Sequence, residues 1–278
     1  MNKLLSALLS TTLAALTAFA AGPARAEALD AIKARGEMVI GMEVAYRPFE
    51  YFQNGETVGF DVDILKSMAE SLGVKLKTVD TAWAGILPAL LERKFDAVLS
   101  GMTITADRQK KVNFTQPVAI GSVVFLVRSN DDKIKRAEDV SGRVVATQLG
   151  SIGDRVAKQY EAKLVAAGKK GFASFKLYDA FPEAYLELAN GRIDAVSGAL
   201  PVLQAVVSER PGRFKIVDGI QDVEAYLGMA IRKEDPALLQ FANAHIAELK
   251  RSGKLEQLQI KWFGAKQAVP DAVPALAQ

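Results

Sequence analysis

Short apolar runs alternate with helix-period segments along nearly the whole chain, and that alternation limits the possible folds more than any other feature. "MVIGM" (38–42) reads as a buried strand, and "DVDILKSMAESLG" (61–73) follows it with Ile64, Leu65, Met68 and Leu72 on one face. Asp61 is expected as the N-cap of that helix and Gly73 as its stop. "KLKTVD" is a strand, "WAGILPALLERK" a helix and "DAVLS" a further strand. The second half repeats the rhythm: "RVVATQ", then "SIGDRVAKQYEAKLVAAG" with Ile152, Val156, Tyr160 and Leu164 four apart, "FASFKLYD", a helix opened by Pro182, and "IDAVSGA". A βαβα order of this kind predicts an α/β protein whose parallel sheets are covered by helices on both faces.

An internal echo bears on the number of units. "LLERKFDAVLSG" (90–101) and "LANGRIDAVSGA" (188–199) share a leucine, a basic residue, an apolar residue, Asp-Ala-Val and a Ser-Gly. Either two buried strands are alike by chance, or the chain contains two lobes of like design. In open α/β sheets ligands sit beyond the carboxyl ends of the strands, where both Ser-Gly segments fall. Two facing lobes would present both segments to one cleft.

The N-terminus reads as an address rather than as fold. Lys3 precedes an apolar run from Leu4 to Ala21, and Ala24-Arg25-Ala26 has the A-x-A pattern of a secretory cleavage site, so residues 1–26 are expected to be a signal peptide. The run contains Ser6, Ser10, Thr11, Thr12 and Thr17, which suits a leader better than a membrane anchor. Without Lys3 and Arg25, 33 basic residues face 32 acidic ones, a balance that points to neither nucleic acid nor an anionic membrane. The chain has no cysteine, which excludes disulfides, thiolate metal sites, cysteine nucleophiles and lipid attachment through cysteine. A soluble protein of a Gram-negative periplasm fits these features. The aperiodic end "AKQAVPDAVPALAQ" (265–278) suggests a disordered tail, taken as 267–278.

"SGMTITADRQKK" (100–111) is where chemistry first appears. Thr105 is a good N-cap for a helix beginning Ala106-Asp107-Arg108. Gly101 admits close backbone approach, Thr103 offers a hydroxyl, and the Arg108 guanidinium is a fork that matches a carboxylate with two hydrogen bonds. On this stretch alone Arg108 is either such a fork or a solvated charge. His245 is the single histidine, so a histidine-dependent metal site or catalytic triad is not expected. Neither a GxGxxG fingerprint nor a phosphate loop occurs, and no cofactor or metal is implied.

The run from "YRPFEYFQNGETVGFDVDILKSMAESLGV" through "LPALLERKFDAVLSGMTITADRQKKVNFTQP", with "GRIDAV", "AIRKEDPALLQ" and "KWFG", resembles the extracytoplasmic solute-binding proteins of polar amino acid ABC transporters, family 3. The resemblance spans about Gly36 to Gly264 and implies a two-lobed periplasmic-binding-protein fold of type 2. Each lobe would be a mostly parallel sheet flanked by helices, and two crossing strands near "VVFLVR" and "AYLGMAIRK" would join them. Lobe 1 is then 27–126 plus 226–266, and lobe 2 is 127–225. It implies a monomeric periplasmic receptor, not an enzyme. This receptor would close on a small amino acid or related carboxylate and deliver it to an ABC permease in the inner membrane.

Residue by residue, the resemblance puts Arg108 on the ligand's α-carboxylate and Thr103 with the Gly101 carbonyl on its α-ammonium. Ser151 and Ile152 would aim N–H groups from a helix N-terminus at the same carboxylate, with Ser151 also the cap and Gln148 aiding closure. Tyr46 and Trp83 would sandwich the ligand's side chain, while Phe49, Phe52 and Phe60 suit the core better. Glu43 stands where some members carry an aspartate that touches the side chain. One position departs from the pattern: the family's ammonium-binding aspartate is replaced by Ala199. A buried ammonium without an anion is costly. Either another acid substitutes, with Glu43 and Asp179 the candidates, or the ligand lacks a bare amine, as betaines, opines and dicarboxylates do. Cyclohexadienyl dehydratases also resemble these proteins and supply the alternative function, but they need a placed acid in the cleft.

Overall fold

Strands and helices alternate as anticipated in the computed structural model of the protein, which describes residues 28–220 and 225–274. The expected leader, 1–26, lies outside the described residues. The chain opens with α1 (Ala28–Arg35), β1 (Glu37–Met42) and a small antiparallel sheet of β2 (Ala45–Tyr46), β3 (Glu50–Gln53) and β4 (Glu56–Val58). Next come α2 (Phe60–Leu72), β5 (Lys75–Asp80), α3 (Trp83–Leu91), β6 (Ala97–Val98), α4 (Ala106–Gln109) and β7 (Val112–Phe114). After β8 (Ala119–Ile120) the second lobe holds β9 (Val123–Arg128), β10 (Val144–Gln148), α5 (Ile152–Ala166), β11 (Ser174–Tyr178), α6 (Phe181–Ala189), β12 (Ala195–Ala199), α7 (Leu200–Glu209) and β13 (Phe214–Val217). The chain returns through β14 (Tyr226–Leu227) and β15 (Ala230–Arg232), and α8 (Pro236–Arg251) and α9 (Lys254–Phe263) close on the first lobe.

The two five-stranded sheets have one topology. Their orders are β5-β1-β6-β15-β7 and β11-β10-β12-β9-β13. In each, three parallel strands are followed by one reversed strand, β15 or β9, and then an edge strand paired antiparallel to it. The repeated Asp-Ala-Val occupies equivalent places in both. Asp96 accepts the Val39 N–H at 2.8 Å and gives its own N–H to the Val39 carbonyl at 2.8 Å. Asp194 does the same with Val144, at 2.9 and 2.8 Å. An arginine pairs with each acid, Arg35 with Asp96 and Arg128 with Asp194. The echo is thus a structural device: an aspartate that sets the register of the central parallel pair.

The first crossing comes earlier than the expected Leu126. β9 pairs with β12 and β13 along its length, so Leu126 belongs wholly to the second sheet. The crossing is at β8, which lies antiparallel to the returning β14 through Tyr226↔Ile120 and Leu227↔Ala119.

Three local expectations need correction. Asp61 does not cap α2; Gly59 does, at φ 144°, where an added Cβ would lie 2.0 Å from the Phe49 carbonyl oxygen. That close approach favours glycine over a side-chain cap, and the helix starts two residues earlier than expected. Phe52 is 66% exposed on the β3 hairpin rather than in the core. Finally, the segment after α9 is fastened as far as the structure describes it. Gln267 accepts the Ile120 N–H at 2.7 Å and donates its own N–H to Gln259 at 2.9 Å, while Lys250 donates to the Pro270 carbonyl. The segment lacks helix and strand, so no periodicity revealed these bonds.

Phe49, Phe60 and Phe263 tie the hairpin, α2 and α9 together at centroid distances of 6.1, 5.3 and 4.6 Å. Full burial of each of Phe49 and Phe60 contributes about 1.5–3 kcal/mol to the stability of this part of the first lobe.

Candidate functional site

The carboxyl ends of the parallel strands in the two sheets face each other across a cleft of ≈ 250 Å³, a volume that includes solvent at its mouth. Its lining is Glu43, Tyr46, Trp83, Gly101, Thr103 and Arg108 from the first lobe, with Gln148, Ser151 and Ile152 from the second. Nine of the ten residues expected at a site therefore meet in one place. Ala199 does not: it is 1% exposed at the start of α7 and packed into the core, so its methyl group contributes no surface to the cleft. Asp179 is exposed and does not line the cleft either.

Local sequence explains most of the positioning. Thr105 caps α4, its hydroxyl accepting the Arg108 N–H at 3.3 Å, which sets the guanidinium over the cleft. Gly101 turns the chain after β6 at φ 51°, and a Cβ there would lie 2.6 Å from the Tyr46 ring. Gly101→Ala is expected to cost about 1–3 kcal/mol through backbone strain and that clash, read as a lower urea midpoint. In the second lobe Ser151 caps α5 by accepting the Asp154 N–H at 3.2 Å. Its own N–H already donates to the Gln148 carbonyl at 3.2 Å, which corrects the expectation that it points at a ligand. Ile152 is the first residue of α5, in the turn whose backbone N–H groups have no acceptor within the helix.

Arg108 is half-buried. It donates to the Thr103 carbonyl at 2.9 Å and, across the cleft, to the Gly150 carbonyl at 3.2 Å. Trp83 donates its indole N–H to the same carbonyl at 3.0 Å, and the guanidinium carbon lies 5.1 Å from the Trp83 ring centre. Among the described residues no carboxylate comes within ion-pairing distance of Arg108. Burial without an anion pulls its pKa down to about 10, and the nearby Arg155 adds to the effect. A cation held this way has an unmet demand for negative charge.

Glu43 is the acid in the lining. Gln148 donates to its carboxyl across the cleft at 2.7 Å, and burial lifts its pKa to about 7. Near neutrality Glu43 therefore gains or loses a proton according to what stands beside it. Tyr46 is 8% exposed and stacks on Phe49 at 5.7 Å and, across the lobes, on Phe181 at 5.8 Å. Much of its ring is occupied by these partners, and Trp83 is the more open aromatic wall.

Sequence reasoning missed what lies behind the lining. Ser100 bridges Glu43 and Glu50: its hydroxyl accepts the Glu43 N–H at 3.1 Å and donates to Glu50 at 2.7 Å. Asp61 accepts the Gly101 N–H at 2.7 Å. A signal existed for Asp61, which sits four residues before Leu65 and seven before Met68, on the apolar stripe of α2. Glu50 carried none, since its strand is too short to show alternation.

Comparison with known proteins agrees with this architecture. Residues 38–265 match the family model described as bacterial extracellular solute-binding proteins, family 3. The L-cystine-binding protein TcyJ of Escherichia coli (strain K12) is 33% identical over 240 residues, covering 85% of this chain and 86% of its own. The L-arginine-binding protein of Pseudomonas aeruginosa is 33% identical over 231 residues, with 81% and 86% covered. Among solved structures, a mutant of ArgBP from T. maritima superposes with a TM-score of 0.76 at 40% identity, covering 85% of this chain and 99% of that one. The ancestral amino acid-binding protein AncCDT-1, a precursor of cyclohexadienyl dehydratase, gives 0.75 at 37% identity, with 86% and 100% covered. With its two like lobes, its cleft and a match over most of its length, the chain belongs to the bacterial extracellular solute-binding proteins, family 3.

Proposed function

We propose that this chain is a periplasmic receptor, not an enzyme, that captures an α-amino acid between its lobes and hands it to an ABC permease. The observation that carries this reading is the half-buried Arg108 guanidinium, whose hydrogen bonds among the described residues go to carbonyl oxygens and not to a carboxylate. A ligand carboxylate replaces those carbonyls with a bidentate, charge-matched pair and takes a further hydrogen bond from the N-terminus of α5. Because Arg108 belongs to the first lobe and α5 to the second, the carboxylate favours the closed arrangement by its differential contacts. Thr103 and the Gly101 carbonyl receive the amine. The side chain lies along Trp83 toward Glu43, a polarity that suits a tail bearing N–H donors. The named relatives that bind arginine and cystine support an amino acid as cargo. A thermal-shift screen over the common amino acids, betaines, opines and dicarboxylates tests the reading. An α-amino acid at a hundred times its Kd should add about 2.7 kcal/mol of stability, and a screen stabilised by dicarboxylates alone defeats it.

The Glu43 carboxyl adds a pH signature. A cationic tail binds the ionised form, whereas burial keeps the free receptor's carboxyl protonated below about pH 7. Binding must then expel a proton, so affinity for L-arginine is expected to rise as pH climbs from 5.5 to 7 and to level off above it. Titration calorimetry should show a shallower slope in Glu43→Gln. The same proton gives the dehydratase reading its one foothold, since a protonated acid in the cleft can assist loss of a hydroxyl. Incubation with prephenate or arogenate, followed by absorbance of an aromatic product, decides that point.

A further inference from the structure

Two carboxyl groups sit behind the cleft, sealed from solvent. Glu50 on β3 is 0% exposed and Asp61 on α2 is 1% exposed. Each spends one oxygen on the segment that lines the site, Glu50 on the Ser100 hydroxyl and Asp61 on the Gly101 N–H, both at 2.7 Å. The second oxygens, Glu50 Oε2 and Asp61 Oδ1, are buried with no other partner. The two residues are neighbours: Asp61 donates its N–H to the carbonyl of Phe49, the residue before Glu50, at 3.1 Å, and their carboxyls hold the adjacent residues Ser100 and Gly101. Two carboxylates in that position repel, whereas one proton between them makes a strong O–H···O⁻ bond.

We propose that Glu50 and Asp61 share one proton, and that the remaining negative charge, set behind the Ser100–Gly101 peptide, balances the ligand's α-ammonium in place of the acid missing at Ala199. The proposal rests on the amino acid reading above. Glu50 is the proton carrier. Asp61 receives a backbone N–H that favours its charged form, while Glu50 has a hydroxyl as donor and faces Asp61 and Glu43. Burial lifts Asp61 to about 7 and Glu50 well above the usual carboxylate range. Above about pH 7 Asp61 carries the negative charge of the pair. The charge sits on the N–H of Gly101, whose own carbonyl is the amine's expected acceptor. Glu43 is less available for that task because Gln148 engages it. Other groups around the pair are Tyr46, which faces Glu50 and Asp61, and Arg108 beyond it.

The test compares L-arginine with its des-amino analogue 5-guanidinopentanoate at pH 8. Glu50→Gln leaves the charge on Asp61 and should weaken L-arginine binding by less than about threefold. The double variant has no charge there and should lose tenfold or more for L-arginine, with little change for the analogue. Equal losses for both compounds, or no loss for either, overturn the proposal and leave the pair with a purely structural role. A ligand-free measurement stands beside it. The folded protein holds the Glu50 proton to higher pH than the unfolded chain does, so wild-type stability falls as pH rises from 5 to 9. Glu50→Gln lacks that titration, and its melting temperature should gain on the wild type across the same range. A constant difference removes the shared proton. Should wild type bind no α-amino acid, or Arg108→Ala keep full affinity, the receptor reading fails instead, and the melting curves still judge the pair.

Discussion

Replacing Arg108 by alanine should lower affinity for the captured amino acid by about 2–5 kcal/mol, a loss of roughly thirtyfold to several thousandfold. The size follows from what the substitution leaves behind. In the bound state the ligand carboxylate would be enclosed by Trp83, Thr103 and the N-terminus of α5, with one backbone donor and no cation. A desolvated anion without its charge partner carries most of that penalty. Lysine is a poor replacement, because a single ammonium cannot reproduce two parallel N–H···O bonds. It should recover only part of the loss. The variant's fold should be sound, since the guanidinium's own bonds in the free protein go to two carbonyls at the cleft. Calorimetry giving wild-type affinity for Arg108→Ala would show that the carboxylate is held elsewhere.

Asp235→Ala should unfold the protein more readily by about 3–5 kcal/mol, with no direct contact to the cleft. Arg232 and Asp235 are each 2% exposed and bonded at 2.6 Å. The guanidinium also donates to the Leu90 and Phe95 carbonyls at 3.0 and 2.7 Å, so it clamps the end of α3 to the entry of β6. Removing the carboxylate leaves that cation buried and unbalanced. The reverse change is milder, because Arg93 stands 3.7 Å from Asp235 and retains some compensation. Exchanging both partners for apolar residues of similar volume should return much of the stability, because no charge is then stranded. Urea unfolding of the single and double variants measures the difference. A double variant as unstable as Asp235→Ala would mean that the bonds to the carbonyls, not the charge, hold the clamp.

The elements of this fold were legible because they are written at short range. α5, from Ser151 as cap through Val156 and Leu164 on the buried face, is one example. The Asp-Ala-Val echo pointed to two like lobes, and both aspartates turned out to anchor the same strand pair. The residues lining the cleft were legible for a related reason. They sit at strand ends and first helical turns, positions set by local pattern, and the family resemblance assigned their parts. The first crossing was misread at Leu126 because β9 is one unbroken apolar run, and pairing rather than composition decides which sheet receives it.

Periodicity and glycine stops by themselves determined the alternating elements, which depend on residues within a few positions of one another. The two-lobed plan came from the echo between distant segments and from the family resemblance. Only the tertiary structure decided that Ala199 is withdrawn into the core, that Glu43 faces Gln148, and that Glu50 and Asp61 are enclosed together beneath Gly101. Whether a carboxyl is a solvated charge or a buried proton store depends on which distant segments exclude water from it. Desolvation is a property of the packed neighbourhood, and no stretch of chain carries it alone.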